Sequence, residues 1–381
     1  MQKRGKRSII MNKRFKSIGP VFFKKRVLIT GNTGFKGSWL SFWLLNLGAK
    51  VYGISNNIPT KPSLYKTLNL QKKTKYFKLD IKKKYLLKRK IKQIKPDFIF
   101  HLAAQSLVNH SYKDPVETFE TNSFGTLNLL ESLRFLKCKC IAIIITSDKS
   151  YKNLEIKRGY RENDIIGGID PYSASKGAAE LIIKSYIKNY FQKNKNLKIC
   201  VARAGNVIGG GDWSNNRLVP DCAKSWSKGK QVKIRNPNST RPWQHVLEAV
   251  GGYLCLAVNL ASKEKLHGES FNFGPNLSKE YSVLELVKSI SKFWRGTSWK
   301  KITVSKKSFF ESELLRLNCN KAKKILKWKS ILKFQEISNM VAIWYLNYYS
   351  NPKNINKITL LQIRKYQSLL KEKGSNWVKI S

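Results

Sequence analysis

Tyr172 and Lys176 stand four residues apart in Asp170-Pro-Tyr-Ser-Ala-Ser-Lys176. On a helix that spacing puts both side chains on one face. An ammonium beside a phenol favours the phenolate and lowers the tyrosine pKa. A phenolate can take the proton of a hydroxyl while the carbon beneath it gives up a hydride. Tyr-x-x-x-Lys is common by chance, so the pair needs company. It has it in Thr146-Ser-Asp-Lys-Ser-Tyr151, which sets a hydroxyl (Ser147), a carboxyl (Asp148) and an amine (Lys149) in succession. Hydride transfer alone needs only Ser147, Tyr172 and Lys176. The added acid and base predict a further proton-transfer step after oxidation. Asp148 would protonate a leaving hydroxyl, and Lys149 would remove a proton made acidic by a neighbouring ketone. Lys149 must be neutral for that work, and repulsion from Lys176 would favour it. The plain alternative is an exposed turn.

Gly31-Asn-Thr-Gly34-Phe-Lys-Gly37 has the spacing of a glycine turn that opens a helix. Such a turn brings backbone N–H groups and a helix N-terminus against a pyrophosphate. It nominates Gly31, Thr33, Gly34, Phe35, Lys36 and Gly37 as cofactor-binding. The residues after the next strand, Gly53-Ile-Ser-Asn-Asn57, hold neither a carboxylate for a ribose nor a cation for a 2′-phosphate. The balance favours NAD over NADP. Asp80 and Ile81, after a third strand, suit an adenine contact.

These groups need a frame, and the hydrophobic pattern supplies one. Arg26–Thr30, Lys50–Ile54, Tyr76–Leu79, Asp97–Leu102, Ile141–Thr146 and Lys198–Ala202 are short apolar runs of the kind buried on both faces of a sheet. Helix-length segments separate them, among them Ser38–Leu47, Pro115–Phe135 and Ser173–Tyr190. Strand and helix in alternation predict βαβ units and a parallel sheet. The fold class is α/β, a doubly wound parallel sheet carrying residues 21–205, and the order of its strands stays open. Beyond residue 205 the pattern loosens, with helices at Ser282–Trp294 and Asn320–Trp328. Residues 206–350 are expected to form a smaller C-terminal substrate-binding lobe with returns to the sheet, and 351–381 a tail. Lys82–Lys95 reads as a solvated basic amphipathic helix.

The chain has 381 residues, with 73 Lys and Arg against 23 Asp and Glu, a net charge of +50. The lysines are spread along the whole length and accompany abundant Ile and Asn, so a coding bias explains them better than a nucleic-acid groove. Residues 1–20 are basic without an apolar run, which predicts a disordered extension rather than a signal peptide, with Met11 as an alternative start. No apolar stretch reaches the roughly 20 residues of a membrane span, so a cytoplasmic protein is expected. The six cysteines have neither disulfide-framework nor zinc spacing, and no metal site is expected. His101 and His245 read as structural.

Together these stretches resemble the extended short-chain dehydrogenase/reductase superfamily, of Rossmann type, and within its NAD-dependent epimerase/dehydratase family the CDP-glucose 4,6-dehydratases. The likeness spans Phe22 to Trp344. It is carried by Thr30–Leu40, His101-Leu-Ala-Ala-Gln105, Thr146–Lys149 with Tyr151, Gly159–Asn163, Asp170–Lys176, Arg203-Ala-Gly-Asn-Val-Ile-Gly-Gly-Gly-Asp-Trp213 and Arg241-Pro-Trp-Gln-His-Val246. The dTDP-glucose branch has Asp-Glu where this chain has Asp148-Lys149. The resemblance implies three steps on one bound CDP-glucose: oxidation at C4, loss of water across C5 and C6, and return of the hydride to C6. It adds Ala103, Ala104 and Gln105 to the NAD site and Asn206 and Arg241 to the substrate site, Arg241 on the diphosphate, with Arg217 and Arg235 as lesser candidates. It has Lys176 hold the nicotinamide ribose as well. It also implies a homodimer or higher homo-oligomer through the helices near 115–135 and 173–190. Asn318 departs from the aspartate usual in Leu317-Asn-Cys-Asn-Lys-Ala322. Two other readings stand beside this one. A nucleotide-sugar 4-epimerase, or another 4,6-dehydratase, would use Tyr172 and Lys176. A non-catalytic nucleotide- or nucleic-acid-binding protein would exploit the charge.

Overall fold

The computed structural model describes residues 18–276, 280–302 and 315–378. Seven parallel strands make the central sheet: β1 (Arg26–Thr30), β2 (Lys50–Ser55), β3 (Lys75–Lys78), β4 (Phe98–His101), β5 (Cys140–Ile145), β6 (Leu197–Ala204) and a last strand, Ser270–Phe273. Their order across the sheet is Ser270–Phe273, β6, β5, β4, β1, β2, β3. The chain builds outward from β1 through β2 to β3, then crosses to the other side of β1 for β4. Between β1 and β4 lies the point where the winding reverses, the usual ligand crevice of such sheets.

The uninterrupted apolar strands reflect burial on both faces. Val27, Ile29, Phe98, Phe100, Ile143 and Ile145 point into one core, shared with the helices Phe35–Asn46 and Val246–Ser262. Leu28, Ile99, Ala142 and Ile144 point into the other, beneath the helices Lys84–Ile94, Gly125–Arg134 and Pro171–Tyr186. The basic segment 82–95 is indeed an amphipathic helix, with Leu87, Ile91 and Ile94 buried.

Several expected elements differ in extent. The first helix begins at Phe35, not Ser38, because Gly34 already serves as its N-cap. Pro115–Phe135 is interrupted by a π-helical turn at Glu120–Phe124. Asn320–Trp328 amounts to little more than the turn Ala322–Leu326. Of the basic extension, residues 1–17 lie outside the described residues. Ile18–Phe22 is a helical turn with Ile18, Val21 and Phe22 buried.

Residues beyond 205 contribute short two-stranded pieces, and also the long helix Val246–Ser262 and the seventh strand of the main sheet. The segment after 350, expected only as a tail, contains the helix Ile355–Glu372. Its Ile355, Ile363, Tyr366 and Leu370 are buried, and the Tyr366 hydroxyl donates to the buried Glu248 carboxylate at 2.9 Å. Among the described residues all six cysteines are free, and no helix is long and apolar enough to cross a membrane.

Candidate active site

The glycine turn follows β1 directly. Gly31 sits at φ +73°, and a Cβ there would lie 2.7 Å from the Ala103 backbone nitrogen. A Cβ on Gly37 would come within 2.1 Å of the Gly31 carbonyl oxygen. Both positions therefore exclude side chains, and Ala103–Gln105 after β4 closes against the turn. No side chain caps the helix Phe35–Asn46, so its first N–H groups are free for an anion. Asn32 is fully buried under Gly53, its Oδ1 accepting from Ser55 at 3.0 Å, and its Nδ2 has no partner among the described residues. Thr33 donates to the Asn57 carbonyl at 2.7 Å. Asp80 accepts from the Lys82 backbone at 2.9 Å, and Ile81 packs on Gly125. This cradle fits a dinucleotide.

Ser147 and Asp148 leave the carboxyl end of β5 in a short 3₁₀ turn. The Ser147 hydroxyl donates to Asp148 Oδ1 at 2.8 Å, and the Lys149 backbone donates to the same oxygen at 2.9 Å. Asp148 Oδ2 faces Gly205, where a Cβ would be 2.8 Å away. Asp148 is 5% exposed; it does not point into solvent. Burial raises its pKa, opposed by Lys149 and the Ser147 hydroxyl. Lys149 is half-buried beside it.

Tyr172 and Lys176 share one face of the helix Pro171–Tyr186, whose N-cap Asp170 accepts from the Ser173 backbone at 3.0 Å. Both are buried. The Tyr172 phenol is pushed up to about 12, by burial first and by the Asp148 carboxylate, while the Ser147 hydroxyl and Arg217 pull it down. The lowering expected from Lys176 is not seen here: loss of water around the phenol outweighs the Ser147 hydroxyl and the Arg217 guanidinium. Lys176 itself is lowered to about 7 by burial and by the Lys36 ammonium, with Glu180 opposing.

Lys36 leaves the glycine turn and reaches the same place. Its ammonium is lowered to about 8 by burial and Arg217, against Asp148 and Asp212. Arg217 is paired with the buried Asp212 at 3.2 Å. Lys36, Asp148, Tyr172, Lys176 and Arg217 therefore form one electrostatic cluster. The other candidates make contacts of their own. Arg235 is exposed and bonded to Asn216 at 3.3 Å. Arg241 is half-buried and donates to the Thr240 carbonyl. Asn206 accepts from the Gln244 backbone at 3.1 Å.

Sequence reasoning passed over a buried network behind the site. Glu180 takes a bidentate pair from Arg203 at 2.8 and 3.0 Å and a hydrogen bond from Thr146. Arg203 donates to the Tyr151 hydroxyl at 2.7 Å, which donates to Asn272 at 2.9 Å. The network ties β5, β6, the last strand and the Tyr172 helix together. Glu180 carries a visible signal, one helical turn beyond Lys176; Asp212 carries none. His101 is structural, held between Thr30 at 2.7 Å and Thr126 at 3.2 Å and lowered to about 3 by burial.

A parallel sheet with a glycine turn at its switch point, and a Tyr–Lys pair beside Ser–Asp–Lys, define a Rossmann-type oxidoreductase-like enzyme with elimination chemistry added. The family model for GDP-mannose 4,6 dehydratase matches residues 28–341, and the chain belongs to that family. It is 40% identical to the CDP-glucose 4,6-dehydratase of Salmonella typhimurium over 326 residues, 84% of this chain and 90% of that one. Among solved structures it resembles an epimerase from Methanothermobacter thermautotrophicus, with a TM-score of 0.76 at 22% identity, covering 88% of this chain and 96% of the other. It also resembles UDP-glucuronic acid 4-epimerase from Bacillus cereus in complex with UDP-glucuronic acid and NAD, with a TM-score of 0.72 at 23% identity, covering 85% and 100%.

Proposed function

We propose that this nucleotide-sugar 4,6-dehydratase acts on CDP-glucose, yielding CDP-4-keto-6-deoxyglucose and water, with NAD as its resident cofactor. The observation that carries the reading is the buried Asp148 carboxyl within electrostatic reach of the Tyr172 phenol, with Lys149 next in the chain. A 4-epimerase has use for the phenol and none for that acid. The 40% identity to a CDP-glucose 4,6-dehydratase supports the nucleotide.

The glycine turn, Asp80–Ile81 and Ala103–Gln105 would hold the dinucleotide. Bound there, NAD⁺ supplies an acceptor for the C4 hydride and gives it back at C6. Tyr172 takes the C4 hydroxyl proton, with Ser147 hydrogen-bonding that oxygen. The resulting ketone acidifies C5–H. Lys149 removes that proton, and Asp148 protonates the departing C6 hydroxyl. Burial suits Asp148 to this task, since it favours the protonated acid. Lys176 would hold the nicotinamide ribose. Arg241, Arg217 and Arg235 are the diphosphate cations, and Asn206 is a sugar contact. Exposed Val116, Phe124 and Leu181 on the two long helices support a homodimer through that face, and we place the enzyme in the cytoplasm. The reading assigns no role to nucleic acid.

Purified protein with NAD⁺ and CDP-glucose should form a 4-keto product that absorbs strongly in alkali and has lost one water by mass spectrometry. No product from CDP-glucose, with turnover of another nucleotide sugar, overturns the assignment.

A further inference from the structure

The two halves of the proposed reaction are carried by different elements. Tyr172 and Lys176 stand on the helix Pro171–Tyr186, whereas Ser147, Asp148 and Lys149 belong to the 3₁₀ turn after β5. One bound sugar must meet both sets without leaving. Their mutual placement therefore matters to a fraction of an ångström.

The buried Arg203–Glu180 pair joins them. Glu180 follows Lys176 on the helix at the same four-residue interval that separates Lys176 from Tyr172. Its Oε1 accepts from the hydroxyl of Thr146, the residue that leads into the turn, at 2.5 Å. Arg203, on β6, donates through Nη1 to the hydroxyl of Tyr151, the residue that leaves the turn, at 2.7 Å. One ion pair thus fastens both ends of the turn. The entering end has the sheet as well, since the Thr146 N–H donates to the Ala202 carbonyl at 3.0 Å. The leaving end is held by a single bridge from Tyr151 to Ile166, by the Gly167 N–H on the Ser150 carbonyl at 2.8 Å, and by the Tyr151 side chain. That side chain stacks on Tyr160 at 4.9 Å and donates to Asn272 at 2.9 Å. Tyr151 is tied to the acid directly, its N–H donating to the Asp148 carbonyl at 3.2 Å. With Arg203 3% and Glu180 6% exposed, the pair acts on the turn and not on substrate. A buried ion pair adds little stability over apolar residues of the same volume. What this one supplies is direction, through bonds that run to the two ends of the turn.

We propose that the Arg203–Glu180 pair, gripping Thr146 and Tyr151, holds the elimination turn in register with the oxidising helix. All four are positioning residues, and their role rests on the dehydratase reading above. The two grips bear on different steps. Thr146 adjoins Ser147, which serves oxidation at C4. Tyr151 closes the turn on Asp148, which serves the loss of water.

The test is Tyr151→Phe in the enzyme with its NAD, followed through a single turnover of CDP-glucose. The readouts are the near-ultraviolet absorbance of reduced nicotinamide and mass spectrometry of the quenched sugar. The ring can keep its stack on Tyr160 and Arg203 keeps Glu180, so the melting temperature should stay within a few degrees of wild type. The absorbance should rise within about threefold of the wild-type rate and decay at least about tenfold more slowly, with sugar that still carries its C6 hydroxyl accumulating meanwhile. Thr146→Val cuts the other grip and should slow the rise as well. Decay at the wild-type rate in Tyr151→Phe overturns the inference, and so does equal slowing of rise and decay, which marks a general packing defect. Should Tyr151→Phe fail to fold, Thr146→Val decides alone, and an unchanged rise in it overturns the inference. Wild-type protein that makes no 4-keto product sinks the dehydratase reading itself, whereas active wild type with unimpaired variants sinks the positioning role alone.

Discussion

Gly205 offers the most direct test of where Asp148 must stand. It follows β6, and a Cβ added there would sit 2.8 Å from Asp148 Oδ2 and 3.5 Å from its Cγ. An ordinary contact starts near 3.4 Å, so the carboxyl must retreat by several tenths of an ångström. It has no free rotation to do so, because Oδ1 is held by Ser147 at 2.8 Å and by the Lys149 backbone at 2.9 Å. Gly205→Ala thus either breaks those bonds or displaces the acid from the leaving hydroxyl. Overpacking of this size costs about 1–3 kcal/mol of stability, a few degrees in melting temperature. The effect on turnover should be larger in proportion. A misplacement below 1 Å should lower kcat by roughly tenfold to a hundredfold, about 1.4–2.8 kcal/mol of barrier. The assay is steady-state formation of the 4-keto product, with a thermal melt on the same preparation. A variant within twofold of wild-type kcat and with an unchanged melt would refute the placement of Asp148 against Gly205.

Other expectations follow from the same geometry. Lys149→Ala should lower 4-keto-6-deoxy product formation by about 10²–10⁴-fold, whereas 4-epimerase activity would survive it; product analysis by mass spectrometry decides. Arg203→Met leaves the Glu180 carboxylate buried without its guanidinium, a loss of about 3–5 kcal/mol readable in denaturant titration; a loss under about 1 kcal/mol means the pair is not buried as described. Lys176 holds its proton less tightly in the folded state, at about 7, than in the unfolded chain, near 10.5. Unfolding between those limits takes up a proton, so this site's contribution to stability rises with pH across the window. Lys176→Met removes that slope. Its melting temperature relative to wild type should be higher at pH 7 than at pH 10, and an equal offset at both would contradict the burial.

The strands were legible because residues such as Val27–Ile29 and Ile141–Ile145 are apolar without alternation, which only burial on both faces requires. Their order was not, since it depends on pairings between distant segments that no local pattern records. The glycine turn could be located from its spacing, and the structure supplies the reason, a backbone too close for any side chain at Gly31 or Gly37. Tyr172 and Asp148 could be nominated, but the direction of the phenol's shift could not. It is set by how much water the fold removes, and sequence spacing is silent on that.

The strand that completes the sheet arrives only with Ser270–Phe273, and the Glu248 carboxylate meets Tyr366 only when the helix Ile355–Glu372 has been made. The edge of β6 thus stays open through much of synthesis, although every proposed catalytic residue has already been made. Two-piece expression divided near residue 205 would therefore not give a working half. Removal of the final helix would strip a partner from a carboxylate in the middle of the protein, although the catalytic segments would be untouched. For this chain, assembly is governed by its end and chemistry by its beginning.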